Sequence, residues 1–294
     1  MKFKSLFLIG ILILLCQDIF SQNDSLKVSK KRVLIAGSSF VVALGASYLY
    51  IQDSWWAEQQ IAFHFDNGTD LTYALNVDKL GHFMGGLQSA DIFSSSMRWA
   101  GMNHKKSLFY GAAFGAGLQL AIEMKDAYAP FWGFSKLDLA FGSAGALWPI
   151  AQYYNDAFRA IDFKFSYYKH SDVYWDLERQ RGKEINKYAW QDDYPNQTYW
   201  AAFDVNYFVK TCCWPEWLNI AIGFGLDDSQ YLYNNTKTGG KNEWYVALDY
   251  DIPKMLKNWN TKVGQKVKNW LNYIHFPSPT IRISPKVEFY PLFI

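Results

Sequence analysis

Asp78 and His82, four residues apart in the run Asp78-Lys79-Leu80-Gly81-His82, are where this sequence first offers chemistry. On a helix that spacing puts both side chains on one face. Two later stretches add acids: Glu123-Met124-Lys125-Asp126 and Asp138-Leu139-Ala140-Phe141-Gly142. Asp78, His82 and Glu123 are a candidate divalent-cation set, because carboxylate oxygen and imidazole nitrogen together suit such ions. The same Asp78, His82 and Glu123 are candidate catalytic groups, an Asp–His dyad being able to act as general base on an ester or phosphoester. Lys79, Asp126, Asp138 and Lys136 are candidate binding residues for a lipid or polyprenyl headgroup, with Lys79 and Lys136 taking its anion. A third reading is structural. Buried ion pairs and caps would hold the helices in place, with Asp138 completing a first-turn cap three residues after Ser135. No nucleophile elbow, phosphate loop or HExxH motif selects one reaction. Whether the chain is an enzyme therefore stays open, and a divalent cation is the only cofactor these residues suggest.

Positioning these groups falls to helices. Residues 76–101, 107–126 and 136–154 read as three of them. Gly81, Gly85, Gln88 and Ser89 extend the His82 face. Gly111, Gly115, Gln119 and Glu123 recur every fourth residue on the second helix. Asp138, Gly142, Gly145 and Pro149 lie along the third. Stripes of small residues let helix backbones approach closely, so the acids are expected to converge at one end of the bundle. Pro130 stops the second helix, and Ser135 suits the N-cap of the third.

Before this bundle, residues 1–21 read as a secretory signal. Lys2 and Lys4 form a positive start, Leu6–Leu15 an apolar stretch too short to span a bilayer, and Ser21 a small residue before the cleavage point. Leu15 is bulkier than a lipidation signal usually carries before its cysteine, here Cys16. Residues 33–51 then run 19 positions without a charge, just behind Lys30-Lys31-Arg32. That length reaches the spanning threshold, but the flanking charges run against an ordinary inner-membrane span. His64, between two phenylalanines, reads as structural.

After about residue 160 the pattern changes from helical spacing to alternation. Strands are expected over 161–165, 198–210, 217–226, 244–252 and 280–289, about five in all, joined by turns at Asn234-Asn235 and Gly239-Gly240. Five strands do not close a transmembrane barrel. An open curved sheet is expected, with sheet edges that could pair two copies of the chain into a homo-oligomer. Residues 170–193 read as an exposed excursion. The stretch 253–276 reads as one amphipathic, Lys-rich helix, lying either on an anionic membrane surface or docked on the sheet with its lysines in water. Cys212-Cys213 reads as a buried, inert pair. The expected fold class is α+β: a signal over 1–21, a membrane-associated bundle of about four helices over 22–160, and a β-rich region over 161–294.

Composition narrows the partners. Half the residues are apolar and 19% aromatic, which suits contact with a membrane interface, where Trp and Tyr set an apolar ring beside a polar tip. A net charge of +2 with no basic groove argues against nucleic acid, leaving membrane lipid as the expected partner.

The order of these motifs resembles the YfiM-like periplasmic lipoprotein family, a domain of unknown function in Gram-negative envelopes. The resemblance rests on Phe63-His64-Phe65-Asp66, Asp78-Lys79-Leu80-Gly81-His82, Glu123 with Asp126, and Asp138 with Gly142 and Gly145. The tail is similar to that of longer members, at 196–200, 217–221, 248–251 and 276–279. A remoter similarity is to VanZ-like membrane proteins, although Phe141 stands before Gly142 where an Asn would be expected. The resemblance implies a Gram-negative envelope location, outer membrane or periplasmic face, and no reaction. The expected function is a structural or lipid-interacting envelope role. The alternative is a membrane-embedded hydrolase or transferase acting on a lipid-linked substrate.

Overall fold

The computed structural model describes residues 27–56, 59–68, 71, 74–180, 193–210, 213–229, 231–233, 236–238 and 240–294. The expected leader, Cys16, Cys212 and the turn residues 234, 235 and 239 lie outside them. The fold is α+β. The chain forms two compact units, one from Met1–Asn67 with His82–Ile150, the other from Gly68–Gly81 with Ala151–Ile294.

Four long helices dominate the first part of the chain: α1 (Lys30–Trp55), α2 (Val77–Trp99), α3 (His104–Asp126) and α4 (Lys136–Tyr154). Ser29 caps α1 by accepting from the Arg32 amide. Arg32 also donates to the Trp99 carbonyl at 3.0 Å and lies over the Trp99 ring, so one of the basic residues ahead of α1 has a partner within the protein. Within the first unit the small-residue stripes bring α2, α3 and α4 together. A Cβ on Gly145 would sit 1.9 Å from the Phe83 carbonyl oxygen, and one on Gly86 1.9 Å from that of Gly142. On Gly111 it would come within 2.4 Å of the Ala90 oxygen. These are backbone-to-backbone approaches, which no rotamer change can relieve. The loop 61–66 pairs with 127–134 through His64 N to Ala127 O and a Phe65–Phe134 bridge. His64 is structural here, its Nε2 3.0 Å from the Ala129 carbonyl oxygen. Gly133 takes φ +92° in this crossing, where an added Cβ would strike the Asp66 backbone.

The second unit is built on a six-stranded sheet of order β1-β2-β3-β6-β7-β8, every neighbour antiparallel. The strands are β1 (Ile161–Tyr167), β2 (Gln197–Phe203), β3 (Leu218–Leu226), β6 (Asn242–Tyr250), β7 (Ser278–Ser284) and β8 (Glu288–Phe293). A separate hairpin pairs β4 (Tyr231–Tyr233) with β5 (Thr236–Thr238). Short helices α5 (Asp156–Arg159), α6 (Val173–Gln180), α7 (Val205–Val209), α8 (Ile252–Met255) and α9 (Lys262–Leu271) connect and cover these strands.

Several expectations are corrected. The run 280–289 is two strands, because Pro285 offers no N–H to a ladder and falls in the turn between β7 and β8. The run 198–210 ends as a strand at Phe203, where the Asp204 carboxylate accepts from the Tyr207 amide and starts α7. The helix expected over 253–276 is two, α8 and α9, with Thr261 capping the second through Gly264 N. Lys268 of α9 is buried, while Val263 and Val267 are exposed, so α9 does not turn all its lysines to water. Residues 170–193 are not wholly an exposed excursion. Tyr174, Trp175 and Asp193 are buried, and Asn196 gathers the 170–171 backbone by accepting from the His170 and Ser171 amides at 2.9 Å. Cys213 is exposed rather than buried.

The sheet carries apolar residues on both faces, with Trp200, Ala202, Ala221, Tyr245 and Ala247 forming a buried cluster. On β3, Asn219, Ala221, Gly223 and Gly225 are buried while Ile220 and Ile222 are exposed. The register carries this across the strands: Ile222 opposes Val246, Val246 opposes Ile281 and Ile281 opposes Phe289, all exposed. The covered face holds charge. Lys164 Nζ lies 2.6 Å from Asp249 Oδ2 and donates to the Tyr250 carbonyl at 2.7 Å. His275 Nδ1 lies 2.9 Å from Asp249 Oδ1, and its ring stacks on Trp200 at 3.9 Å.

The glycine packing is directly testable. Gly145→Ala should cost about 1–3 kcal/mol or more, since α2 and α4 must separate to admit the methyl. Gly117→Ala on α3 meets nothing within 4 Å and should be neutral or stabilising by about 0.5–1 kcal/mol. Thermal unfolding followed by circular dichroism on both variants checks the pair.

Candidate functional site

Three helices of the first unit bring His82, Glu123 and Asp138 to one place. One ligand atom from each lies within 4.8 Å of the others. His82 Nδ1 is 3.8 Å from Glu123 Oε1, and His82 Nε2 is 3.8 Å from Asp138 Oδ2. The two carboxylates are buried and His82 is partly exposed, so the imidazole is the open side of the cluster.

Each member is held by local structure. Ser135 is the hinge of the arrangement. Its amide donates to Glu123 Oε2 at 2.9 Å, and its hydroxyl accepts from the Asp138 amide at 3.1 Å, which caps α4. Ser135 is itself placed by the Phe65–Phe134 bridge one residue earlier. His82 Nδ1 lies 2.9 Å from Gln119 Oε1. An amide oxygen only accepts, so with the amide in this orientation Nδ1 carries the proton and Nε2 is turned toward Asp138. Gln119 is packed in place by the missing side chain of Gly142, where a Cβ would come within 2.5 Å of its Cγ.

Metal–ligand bonds of about 2.0–2.6 Å put ligand atoms about 3–5 Å apart around one ion. The 4.8 Å spread of the cluster falls at the wide end of that range. An imidazole and two carboxylates suit zinc, manganese or iron. A His whose second ring nitrogen donates to an outer partner, as His82 does to Gln119, is the usual arrangement of a metal-ligating imidazole.

The other candidate residues are placed elsewhere. Asp78 and Lys79 belong to the second unit and pair with each other, Lys79 Nζ lying 3.0 Å from Asp78 Oδ2 with both buried. Asp138 thus stands in the cluster where the sequence reading placed Asp78. Asp126 accepts from Trp56 Nε1 at 2.7 Å. Burial pushes its carboxyl up to about 6, with Asp138 adding to the rise and the Trp56 bond, His82 and Lys125 opposing it. Lys136 is exposed and lies over the Phe65 ring at 4.8 Å, a cation–π contact. Gln119 was not among the residues expected at the site, although its place four residues before Glu123 in the small-residue stripe signalled the shared face.

The second unit carries an Asp249–His275–Ser278 series in which His275 Nε2 lies 3.3 Å from Ser278 Oγ. All three side chains are buried, and Ser278 donates to the Leu248 carbonyl at 2.6 Å. This is a hydrogen-bonded pin beneath the sheet, with no room for a substrate to reach the hydroxyl.

Residues 65–153 match the family described as predicted periplasmic lipoprotein (DUF2279). The match bears out the resemblance to a periplasmic lipoprotein family of unknown function and is consistent with an exported cell-envelope protein. It does not show the VanZ-like similarity. No curated protein and no solved structure matches the chain.

Asp126 makes a pH test of the site's surroundings. A carboxyl raised from 3.8 to about 6 in the fold binds more protons folded than unfolded between those values. Stability contributed by its neutral form is therefore present below about pH 4 and lost as pH rises toward 6. Asp126→Asn keeps an acceptor for Trp56 and removes the ionisation. It should flatten stability across that window and gain about 1–2 kcal/mol at pH 7, the shift being discounted for partial solvent access. Chemical denaturation at pH 4, 5, 6 and 7 measures this.

Proposed function

We propose that this is a cell-envelope protein that works in contact with lipid, seated on the membrane by α1. The observation that carries the reading is the exposure of that helix. Lys30–Gln52 is long and apolar enough to cross a membrane, and only 11% of its most apolar 18-residue window is buried. Val41 is 71% exposed and Leu34 70%. An apolar surface of that extent on a helix near the N-terminus also passes as a signal sequence or a docking face. Lipid is favoured because apolar side chains also face outward elsewhere in the same unit, at Phe109, Tyr110 and Leu120 of α3 and Phe141 and Leu147 of α4. Ile222, Val246, Ile281 and Phe289 add an exposed apolar face on the sheet of the second unit.

Fractionation tests this reading. The protein should remain with membranes through a carbonate wash. Val41→Lys with Val42→Lys should release it, each lysine opposing insertion by about 2.5–3.5 kcal/mol at a helix centre. A wild-type protein found wholly in the soluble periplasmic fraction would sink the proposal.

A second reading, metal-assisted hydrolysis or transfer on a lipid-linked substrate, is favoured by one specific observation. The cluster supplies three protein ligands, His82, Glu123 and Asp138, and its histidine is partly exposed. Three ligands with an open position suit a catalytic ion rather than a closed structural one. The purified protein dialysed against zinc or manganese should retain about one equivalent by elemental analysis. His82→Ala should lose it while Lys106→Ala, at the end of α3 away from Glu123, retains it. Equal metal content in wild type and His82→Ala would exclude the site.

A further inference from the structure

Helix α9 of the second unit turns the wrong residues outward. Gly264 and Lys268, one turn apart, are buried, and Lys268 donates to the Leu256 carbonyl at 3.3 Å. Val263 and Val267, also one turn apart, are exposed, as is Ile274 just beyond the helix. Met255 and Trp259 extend this apolar surface ahead of α9. Trp259 lies against the helix, since a Cβ on Gly264 would come within 2.7 Å of its ring. The helix cannot roll to hide its valines. Asn272 Oδ1, at its end, accepts from Lys164 Nζ at 3.2 Å and from the Ile252 amide at 3.1 Å. The Phe165 amide then holds the Tyr273 carbonyl at 2.9 Å.

Charge is the second observation. Residues 252–276 carry lysines at 254, 257, 262, 266 and 268 and no Asp or Glu. Two of these lysines serve the fold. Lys268 is buried, and Lys254 lies 2.7 Å from Asp204 Oδ2 and 3.0 Å from Asp251 Oδ2. The Lys257 side chain is 70% exposed, and its 3.8 Å pair with Glu216 is open to water and weak. Burial pushes the Lys266 ammonium down to about 8, a direction that an adjoining phosphate would reverse. An apolar stripe edged by cations calls for an occupant that is apolar within and anionic at its border. A second copy of this chain does not meet that description, because a two-fold contact through α9 would bring both copies' lysines together.

We propose that α9 and the turn before it rest on the surface of an anionic lipid layer, with Trp259, Val263 and Val267 entering the headgroup boundary and Lys257 and Lys266 beside the phosphates. Tryptophan suits that depth, its ring being apolar and its N–H polar. The contact is distinct from the seating of α1 and does not require it. It belongs to the second unit, it lies in the plane of the interface, and it depends on the charge of the lipid.

Co-sedimentation of the full-length protein with lipid vesicles tests the contact, in the Val41→Lys, Val42→Lys background that weakens the hold of α1. This parent should bind vesicles of equal parts phosphatidylglycerol and phosphatidylcholine about tenfold or more tightly than phosphatidylcholine alone, and added salt should narrow the gap. Lys257→Glu with Lys266→Glu should remove the preference, each lysine at an anionic surface being worth about fivefold. Val263→Ser with Val267→Ser should weaken binding to the mixed vesicles about tenfold and melt with the parent, since exposed side chains have few protein contacts to lose. That second pair keeps the test decisive if Lys266→Glu fails to fold. Lys30-Lys31-Arg32 is unchanged throughout, so a preference that survives both pairs arises there and overturns the proposal. It is also overturned if the mixed vesicles bind no more tightly than neutral ones. A dimer without vesicles that Val263→Ser with Val267→Ser returns to monomer overturns it too, the occupant then being a second copy. Failure of the α1 reading shows separately, as wild-type protein in the soluble fraction.

Discussion

A charge taken out of water must find compensation inside the protein, and both units are arranged around that requirement. Beneath the sheet, Lys164 answers Asp249, whose other oxygen faces His275. Asp78 and Lys79, adjacent in sequence, neutralise each other. In the first unit Glu123 takes an amide from Ser135, and Asp138 stands against the histidine. Removing one partner from any of these would leave the other buried and uncompensated, which is far more damaging than removing both.

The sheet combines this requirement with a buried apolar cluster. On β3 and β6, Ile220, Ile222, Trp244 and Val246 alternate along the exposed face. At the positions between them, Ala221, Tyr245 and Ala247 pack with Trp200 and Ala202 in a buried apolar cluster, and Asp249 joins the ion-pair network. The inward stripes of α3 and α4 are glycine, glutamine and acid, and their outward residues include Phe109, Tyr110, Leu120, Phe141 and Leu147.

Much of the architecture could be read from residue spacing. The helix α4 begins and ends where Ser135 and the 136–154 pattern put it, and α2 and α3 differ from expectation by a few residues at their ends. The every-fourth-residue recurrence of Gly111, Gly115, Gln119 and Glu123 pointed to close packing, and the near-zero clearance at Gly86, Gly111 and Gly145 shows it. Pro285 was legible as an interruption, whereas Asp204 and Thr261, also legible as local breakers, were read through. A breaker's effect depends on whether its neighbours offer an alternative pairing, which a strand pattern alone does not reveal. Among the candidate site residues, Glu123, His82 and Asp138 meet, whereas Lys136 turns to a phenylalanine ring and Asp126 to Trp56.

Sequence alone determined which faces exist: a stripe of small residues on each of three helices, two alternating faces on each strand, an acid at the end of each stripe. These follow from the fixed periods of helix and strand, 3.6 and 2 residues, which no tertiary contact changes. Tertiary structure decided which face turns inward and which acids share a centre. Asp78 is four residues from His82 and shares its face, but a helix holds i and i+4 about 6 Å apart along its axis, and Asp78 pairs with Lys79 in the second unit. Asp138, 56 positions beyond His82, reaches the imidazole because glycines at 86, 142 and 145 let α4 lie against α2. Distance along the chain is therefore a poor guide to the site, and the space that missing side chains leave between helices is the better one.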